Sequence, residues 1–116
     1  MTILNEFTQV LTIAGSDSDG SAGAQADLKT FMACGVYGMS VLTAAVAGNS
    51  YGIHDSINMP SSFINSQIKD IKDDFKVSAF KTGMLSDSEI INTVAKAIAD
   101  KPFGTFVLDP DRKSVV

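Results

Sequence analysis

The sequence is poor in cysteine and histidine, and this shortage excludes two kinds of structural support. Its 116 residues include one cysteine, Cys34, and one histidine, His54. A single cysteine cannot form an internal disulfide, which fits a protein of the reducing cytoplasm. One cysteine and one histidine are also too few for a zinc-ligand cluster, so no metal site is predicted from them. We expect Cys34 to lie in or beside the core and His54 to lie in a surface loop.

The sequence also has no excess of basic charge and no long hydrophobic run. Its formal net charge is −4, whereas non-specific binding of nucleic acid depends on a basic surface. No apolar run approaches the roughly 20 residues of a membrane-spanning helix, and residues 1–7 lack the features of a signal peptide. We therefore expect one globular domain whose partners are neither nucleic acids nor membranes.

The apolar segments predict an α/β fold. Strands are predicted at about residues 9–14, 40–47, 77–81 and 105–109, and the first two are apolar enough to be covered on both faces. Helices are predicted over about 22–33, from Pro60 onwards, and over about 86–100, while 48–56 is expected to be a loop. The order β-α-β-α-β-α-β predicts a parallel sheet with flanking helices.

Two of the helices carry further signals. Apolar residues at helical spacing predict the buried stripe of the second helix: Ile64, Ile68, Ile71 and Phe75. The third helix is predicted to begin with a capping box, in which Ser86 and Glu89 satisfy backbone N–H groups reciprocally. Its inward face is expected to consist of Ile91, Val94, Ala95 and Ile98.

The segment that follows the first strand is the main candidate for a binding site. Its glycines, Gly15, Gly20 and Gly23, permit positive φ or a close approach of the backbone to a ligand. Ligands of parallel α/β sheets bind where a strand ends and the next helix begins. The predicted polar loop has about nine residues, whereas such loops usually have about 2–6. We interpret it as a binding loop; the alternative is a purely structural connection.

The composition of this loop indicates a neutral ligand. A P-loop requires Lys-Ser/Thr after its last glycine, but Gly23 is followed by Ala24 and Gln25. The spacing G-x4-G-x2-G also differs from the dinucleotide fingerprint G-x-G-x-x-G. Asp17 and Asp19 place negative charge where an anion would bind. A hydroxyl-bearing or heteroaromatic small molecule fits these groups better.

Asp27 is the strongest candidate for ligand recognition. It shares a helix face with Ala24, Leu28 and Phe31, so its carboxylate is predicted to point inward. A buried charge is costly unless it is paired or hydrogen-bonded, and a polar ligand would provide such a partner. The alternative is an acidic residue placed near a helix N-terminus by the helix dipole.

Four motifs in this order resemble the hydroxymethylpyrimidine/phosphomethylpyrimidine kinases of the ribokinase-like superfamily. They are the segments 11–31 (LTIAGSDSDGSAGAQADLKTF), 37–44 (YGMSVLTA), 81–85 (KTGML) and 107–110 (VLDP). The related bacterial pyridoxal kinases have the same motifs. The resemblance covers about residues 10–110 and implies a Rossmann-type three-layer fold of which this chain is the N-terminal, substrate-binding part; residues 111–116 do not resemble the family.

The resemblance also implies an activity and a set of site residues. Such a kinase transfers the γ-phosphoryl group of ATP, with Mg²⁺, to the hydroxymethyl group of an aminopyrimidine and then to its monophosphate. Asp27 would hydrogen-bond the amino and ring nitrogens of the pyrimidine. The other positions implied at the substrate are Gly15, Ala22, Val46, Gly48 and Met84, and Asp109 matches a position near the nucleotide and magnesium.

Two departures from the family pattern leave alternatives open. Position 48 is glycine where the family has a glutamine that contacts the pyrimidine, and pyridoxal kinases also lack that glutamine. The family's nucleotide-binding segments, anion-hole glycines and catalytic base all belong to its second half, so no catalytic residue is expected here and the chain alone is expected to be inactive. The alternatives are a pyridoxal kinase and a non-catalytic small-molecule-binding module. An unpaired strand edge at 105–109 would favour self-association.

Overall fold

The computed structural model describes residues 7–108, which form a five-stranded sheet with three helices. In chain order the elements are β1 (Gln9–Asp17), α1 (Gly23–Ala33), β2 (Tyr37–Asn49), β3 (Gly52–Asn58), α2 (Ser61–Asp74), β4 (Val77–Thr82), α3 (Ser88–Ile98) and β5 (Thr105–Val107). The sheet order is β3-β2-β1-β4-β5. All neighbouring strands are parallel except β3, which is antiparallel to β2. The predicted α/β fold with a parallel sheet and flanking helices is confirmed.

The helices cover the sheet from both faces. α1 lies on the face of Thr12, since Asp27 of α1 hydrogen-bonds that residue. α2 and α3 pack on the opposite face, where their buried side chains join Leu11, Ile13, Met39 and Val41 in the main core. The stripe predicted for α2 contributes to this core: Ile64 and Ile68 are buried, and Ile71 and Phe75 pack against it. The burial of β1 from both sides agrees with its nearly continuous apolar sequence.

The strand order creates a crevice at the carboxyl ends of β1 and β4. From β1 the chain passes through α1 to β2 on one side, and later returns through α2 to β4 on the other side. In open α/β sheets, the point where the strand order reverses in this way is the usual position of a ligand. The Gly83 amide donates to the Ile13 carbonyl at 2.8 Å and joins the two strands at this point.

The loop predicted over 48–56 was wrong, because Gly52–Asn58 forms the edge strand β3. Each of its seven residues is exposed, so β3 has no buried face and no alternating apolar pattern. It pairs with Ala44–Asn49 of β2, of which Gly48 and Asn49 lie beyond the predicted end of that strand. His54 is at the surface as expected, but it lies in this strand.

β1 is also longer than predicted, and this shortens the loop after it. β1 continues through Gly15 to Asp17, because Ser16 and Asp17 pair with Ala45 and Val46 of β2. Only residues 18–22 remain between β1 and α1, which is an ordinary length for such a connection. The unusual length predicted for the binding loop was therefore wrong.

Two local predictions on α3 were also wrong. α3 begins at Ser88 with Asp87 as its N-cap, whose Oδ1 accepts from the Ile90 amide at 2.8 Å, so Ser86 and Glu89 form no capping box. The α3 face towards the core contains Ile90 and Val94, whereas Ile91 is 48% exposed and Ala95 is exposed. Ile90 and Ile91 are both compatible with a face that contains Val94 and Ile98, so packing against the sheet, and not the helical spacing, selects Ile90.

The end of α1 explains the position of Cys34. Cys34 is the C-cap of α1 and is exposed rather than in the core. Gly35 follows with a φ of +76°, and this left-handed turn ends the helix. Within residues 7–108, no helix is long and apolar enough to cross a membrane.

Candidate functional site

A cavity of about 280 Å³ lies at the carboxyl ends of β1 and β4. The end of β1 and the start of α1 form one side of it, and the β2–β3 hairpin and the segment after β4 form the other. The lining residues are Gly15, Ser16, Asp17, Ala22, Gly23, Asp27, Val46, Ile53, Lys81, Gly83 and Met84. The cavity therefore occupies the crevice at which the strand order reverses.

Most of the residues predicted for a ligand site meet in this cavity. Five of them line it, although they come from three separate parts of the chain: Gly15, Ala22, Asp27, Val46 and Met84. Gly48 is not among the lining residues; it lies two residues beyond Val46 in β2. Asp109 lies outside the described residues.

Asp27 points inward from α1, as its helix position predicts. Its Oδ2 atom accepts two hydrogen bonds, from Thr12 Oγ1 at 2.6 Å and from Lys81 Nζ at 2.8 Å. The Asp27 side chain is 19% exposed and that of Lys81 is 31% exposed. The partly buried carboxylate is thus compensated by one cation and one hydroxyl, as its burial requires.

Lys81 was not predicted as a site residue. It lies near the end of β4, beside Thr12 of β1, and it reaches Asp27 across 54 positions of sequence. The available signal was a lone lysine within the otherwise uncharged strand sequence VSAFKT, immediately before a glycine-containing strand end. A charged residue at the carboxyl end of a covered strand indicates a site when a partner of opposite charge lies on a neighbouring element.

The connection between β1 and α1 is held by its own carboxylates. Asp19 Oδ1 accepts from the Ser21 amide at 2.8 Å and from the Ser21 hydroxyl at 2.7 Å. The hydroxyl bond, followed by the amide bond, lowers the pKa of Asp19 below its ordinary value. Asp17 Oδ2 accepts from the Ala22 amide at 3.1 Å. These two carboxylates stabilise the loop, and Asp27 is the carboxylate that is paired with a cation at the cavity.

Gln25 fixes the end of β1 to α1. Its Oε1 accepts from the Asp17 amide at 2.9 Å, and its Nε2 donates to Ser16 Oγ at 2.7 Å. Both partners line the cavity. A single side chain on the first turn of α1 therefore sets the position of the strand end that forms the cavity wall.

Two glycines allow the backbone segments around the cavity to approach each other. Gly23 has a φ of +67°, and a Cβ atom there would lie 2.6 Å from the Gly15 carbonyl oxygen. A Cβ atom on Gly83 would lie 2.7 Å from the Ala14 Cβ atom. Side chains at either position would separate α1 or the β4 end from β1. The predicted positive φ of Gly23 is confirmed, and the backbone that it approaches closely is that of Gly15.

The β2–β3 hairpin forms the outer wall of the cavity. Val46 and Ile53 contribute its apolar surface, although Ile53 remains 68% exposed. Ser18 holds the hairpin to the β1–α1 loop: its amide donates to the Val46 carbonyl at 3.1 Å, and its hydroxyl bonds both backbone groups of Gly48. The wall and the loop thus form one hydrogen-bonded unit.

The chemistry of the cavity fits a small, largely apolar molecule with one polar edge. Val46, Ile53 and Met84 offer apolar contacts, and the Asp27–Lys81 pair provides an ionic group without net charge. Within residues 7–108, no group of three or more His, Cys, Asp or Glu side chains is suited to hold a metal ion.

Comparison with known proteins identifies relatives of this chain. The family model for phosphomethylpyrimidine kinase matches residues 17–114. A hydroxymethylpyrimidine/phosphomethylpyrimidine kinase of Haemophilus influenzae is 52% identical over 107 residues, which are 92% of this chain and 40% of that protein. The chain thus spans about 40% of the length of this curated relative.

Solved structures of two related kinases have the same fold. The crystal structure of phosphomethylpyrimidine kinase from Clostridium difficile 630 matches with a TM-score of 0.85 at 44% identity, over 89% of this chain and 45% of that one. An ADP complex of Bacillus subtilis pyridoxal kinase matches with a TM-score of 0.81 at 45% identity, over 90% of this chain and 40% of that one. The chain is therefore similar in structure to kinases that are named for two different substrates.

Proposed function

This chain belongs to the phosphomethylpyrimidine kinase family, and we propose that it forms the substrate-binding part of a kinase that phosphorylates the hydroxymethyl group of hydroxymethylpyrimidine and of its monophosphate. The observation that carries the proposal is the cavity at the β1–β4 crevice. Residues far apart in the sequence converge there around one inward carboxylate, Asp27. A heteroaromatic ring would contact Val46 and Met84, and its amino group would donate to Asp27.

The family implies ATP as the phosphoryl donor and Mg²⁺ as its counter-ion. Phosphoryl transfer depends on groups that position the phosphates and stabilise their charge. Among residues 7–108, no group of three or more His, Cys, Asp or Glu side chains is suited to hold a metal ion, and Asp109, the position that the resemblance places near the nucleotide and magnesium, lies outside the described residues. We therefore assign substrate binding and orientation to residues 7–108 and derive no transfer step from them. The 116 residues alone are expected to give no substrate-dependent ATP turnover in a coupled assay.

A pyridoxal kinase is the second candidate, and the surroundings of Gly48 favour it. A Cβ atom on Gly48 would lie 3.0 Å from the Gly52 carbonyl oxygen and 3.4 Å from the Ile53 Cα atom. A longer side chain at position 48 would thus have to displace the β3 backbone. The family's pyrimidine-contacting glutamine is replaced here by a residue against which the hairpin packs closely.

Direct binding distinguishes these candidates. Isothermal titration of the 116-residue chain with the aminopyrimidine alcohol and with pyridoxal, each with and without MgATP, would compare their affinities. The proposal expects tighter binding of the aminopyrimidine. Tighter binding of pyridoxal would establish the second candidate, and binding of neither would contradict both. Tight binding of either ligand, with no change in affinity when MgATP is added, would indicate a non-catalytic binding module.

A further inference from the structure

The two oxygens of the Asp27 carboxylate have different surroundings. Oδ2 accepts both protein hydrogen bonds, from Thr12 and from Lys81. Among the described residues, no donor reaches Oδ1. An ionised carboxylate has acceptor capacity on both oxygens. Asp27 therefore keeps an acceptor for a ligand, while its other oxygen is held in place by the protein.

Lys81 also has unused hydrogen-bonding capacity. An ammonium group has three N–H donors, and within residues 7–108 the Lys81 Nζ atom has one partner, Asp27. Lys81 lines the cavity, and its side chain is 31% exposed. A free donor of Lys81 and a free acceptor of Asp27 thus lie next to each other at the same cavity.

The charge of this pair determines what kind of ligand it suits. Lys81 compensates Asp27, so the pair offers no net negative charge to attract a cation. It offers an acceptor beside a donor instead. The complementary ligand edge has a donor beside an acceptor, as in a neutral ring in which an amino group is adjacent to a ring nitrogen.

We infer that Lys81 is a specificity-determining residue that donates a hydrogen bond to the ring nitrogen adjacent to the amino group of the substrate, while Asp27 Oδ1 accepts from that amino group. This inference rests on the proposed function, since it concerns how the same cavity recognises its pyrimidine.

The test compares two ligands on two proteins. The ligands are the aminopyrimidine alcohol and the analogue in which C–H replaces the ring nitrogen adjacent to the amino group. The proteins are the unmodified 116-residue chain and Lys81→Met, with Lys72→Met on the exposed surface of α2 as a matched control. The ratio of the two dissociation constants, measured on each protein, reports the contact to that nitrogen. Effects of the substitution that change the affinity for both ligands equally cancel in the ratio.

The unmodified chain and Lys72→Met should prefer the aminopyrimidine about tenfold or more, since a hydrogen bond from a charged donor has this effect. Lys81→Met should bind the two ligands equally. An unchanged preference in Lys81→Met would overturn the inference and leave the proposed function standing. Failure of the unmodified chain to bind either ligand would overturn the proposed function and the inference with it.

A second measurement requires no substitution and so does not depend on the folding of Lys81→Met. In the unmodified chain with isotope-labelled lysine, the Lys81 Cε–H signals should shift on addition of the aminopyrimidine and shift far less with the C–H analogue at equal saturation. Equal shifts with both ligands would overturn the inference.

Discussion

Ser18 and Gly48 are joined by a reciprocal pair of hydrogen bonds: the Ser18 hydroxyl donates to the Gly48 carbonyl at 2.7 Å and accepts from the Gly48 amide at 2.8 Å. This pair attaches the β2–β3 hairpin to the β1–α1 loop. Ser18→Ala should remove both bonds and destabilise the chain by about 1 kcal/mol. Hydrogen exchange of the Gly48 amide should accelerate, because the hairpin would open locally.

Ser50→Ala is the matched control for Ser18→Ala. Ser50 lies in the turn between β2 and β3 and is exposed. This control should leave the exchange rate of the Gly48 amide unchanged. Equal exchange rates in the two variants would contradict the attachment of the hairpin by Ser18.

Gly23→Ala should destabilise the chain more than Gly35→Ala. Both glycines have positive φ, +67° and +76°, so alanine at either position costs about 1–2 kcal/mol. Only Gly23 is crowded, since its Cβ atom would lie 2.6 Å from the Gly15 carbonyl, whereas Gly35 has open space. Overpacking should add about 1–3 kcal/mol at Gly23. Urea unfolding midpoints would measure the difference, and similar midpoints would argue against a close approach of α1 to β1.

Asp27→Asn should weaken binding of the aminopyrimidine by about 1.5–3 kcal/mol, the usual contribution of a hydrogen bond to a charged group. The substitution keeps the size of the side chain and removes its charge. Titration calorimetry would measure the change, with Asp70→Asn on the exposed surface of α2 as the control. Unchanged affinity would leave Asp27 with the purely structural role of pairing Thr12 and Lys81.

Asp87→Ala should destabilise α3 by about 1 kcal/mol, because the N-cap carboxylate would no longer accept from the Ile90 amide. Hydrogen exchange at the Ile90 amide is the direct measurement. Ser86→Ala removes a hydroxyl that donates to Asn58 Oδ1 and leaves the Asp87 carboxylate that caps α3 in place, so it should change that exchange rate far less. Faster exchange in Ser86→Ala than in Asp87→Ala would favour the capping box predicted from the sequence.

The buried elements could be predicted from the sequence because burial produces a pattern. β1 and β2 are apolar on both faces, and α2 has its apolar residues at helical spacing. The inward direction of Asp27 followed from the same periodicity, since Ala24 and Phe31 share its face. These features arise from local sequence, and the structure agrees with them.

The features that could not be predicted depend on contacts distant in sequence. β3 is exposed along its whole length, so its hydrogen bonds to β2, and not burial, make it a strand. The Asp27–Lys81 pair joins positions 54 residues apart. The sequence around either residue does not indicate that it pairs with the other. The core-facing side of α3 was misplaced because Ile90 and Ile91 both fit a face that contains Val94 and Ile98, and only the packing against the sheet selects Ile90.

Gln67 of α2 has a consequence for how the sheet behaves in solution. Its side-chain amide accepts from the Leu42 N–H and donates to the Leu42 C=O, both at 2.9 Å. The Gln67 side chain thereby makes the two hydrogen bonds that a neighbouring strand would make to Leu42. The pairing of β3 with β2 begins only at Ala44. A strand from another molecule would have to displace this amide before it could pair there, so α2 protects the sheet against aggregation as well as covering its core.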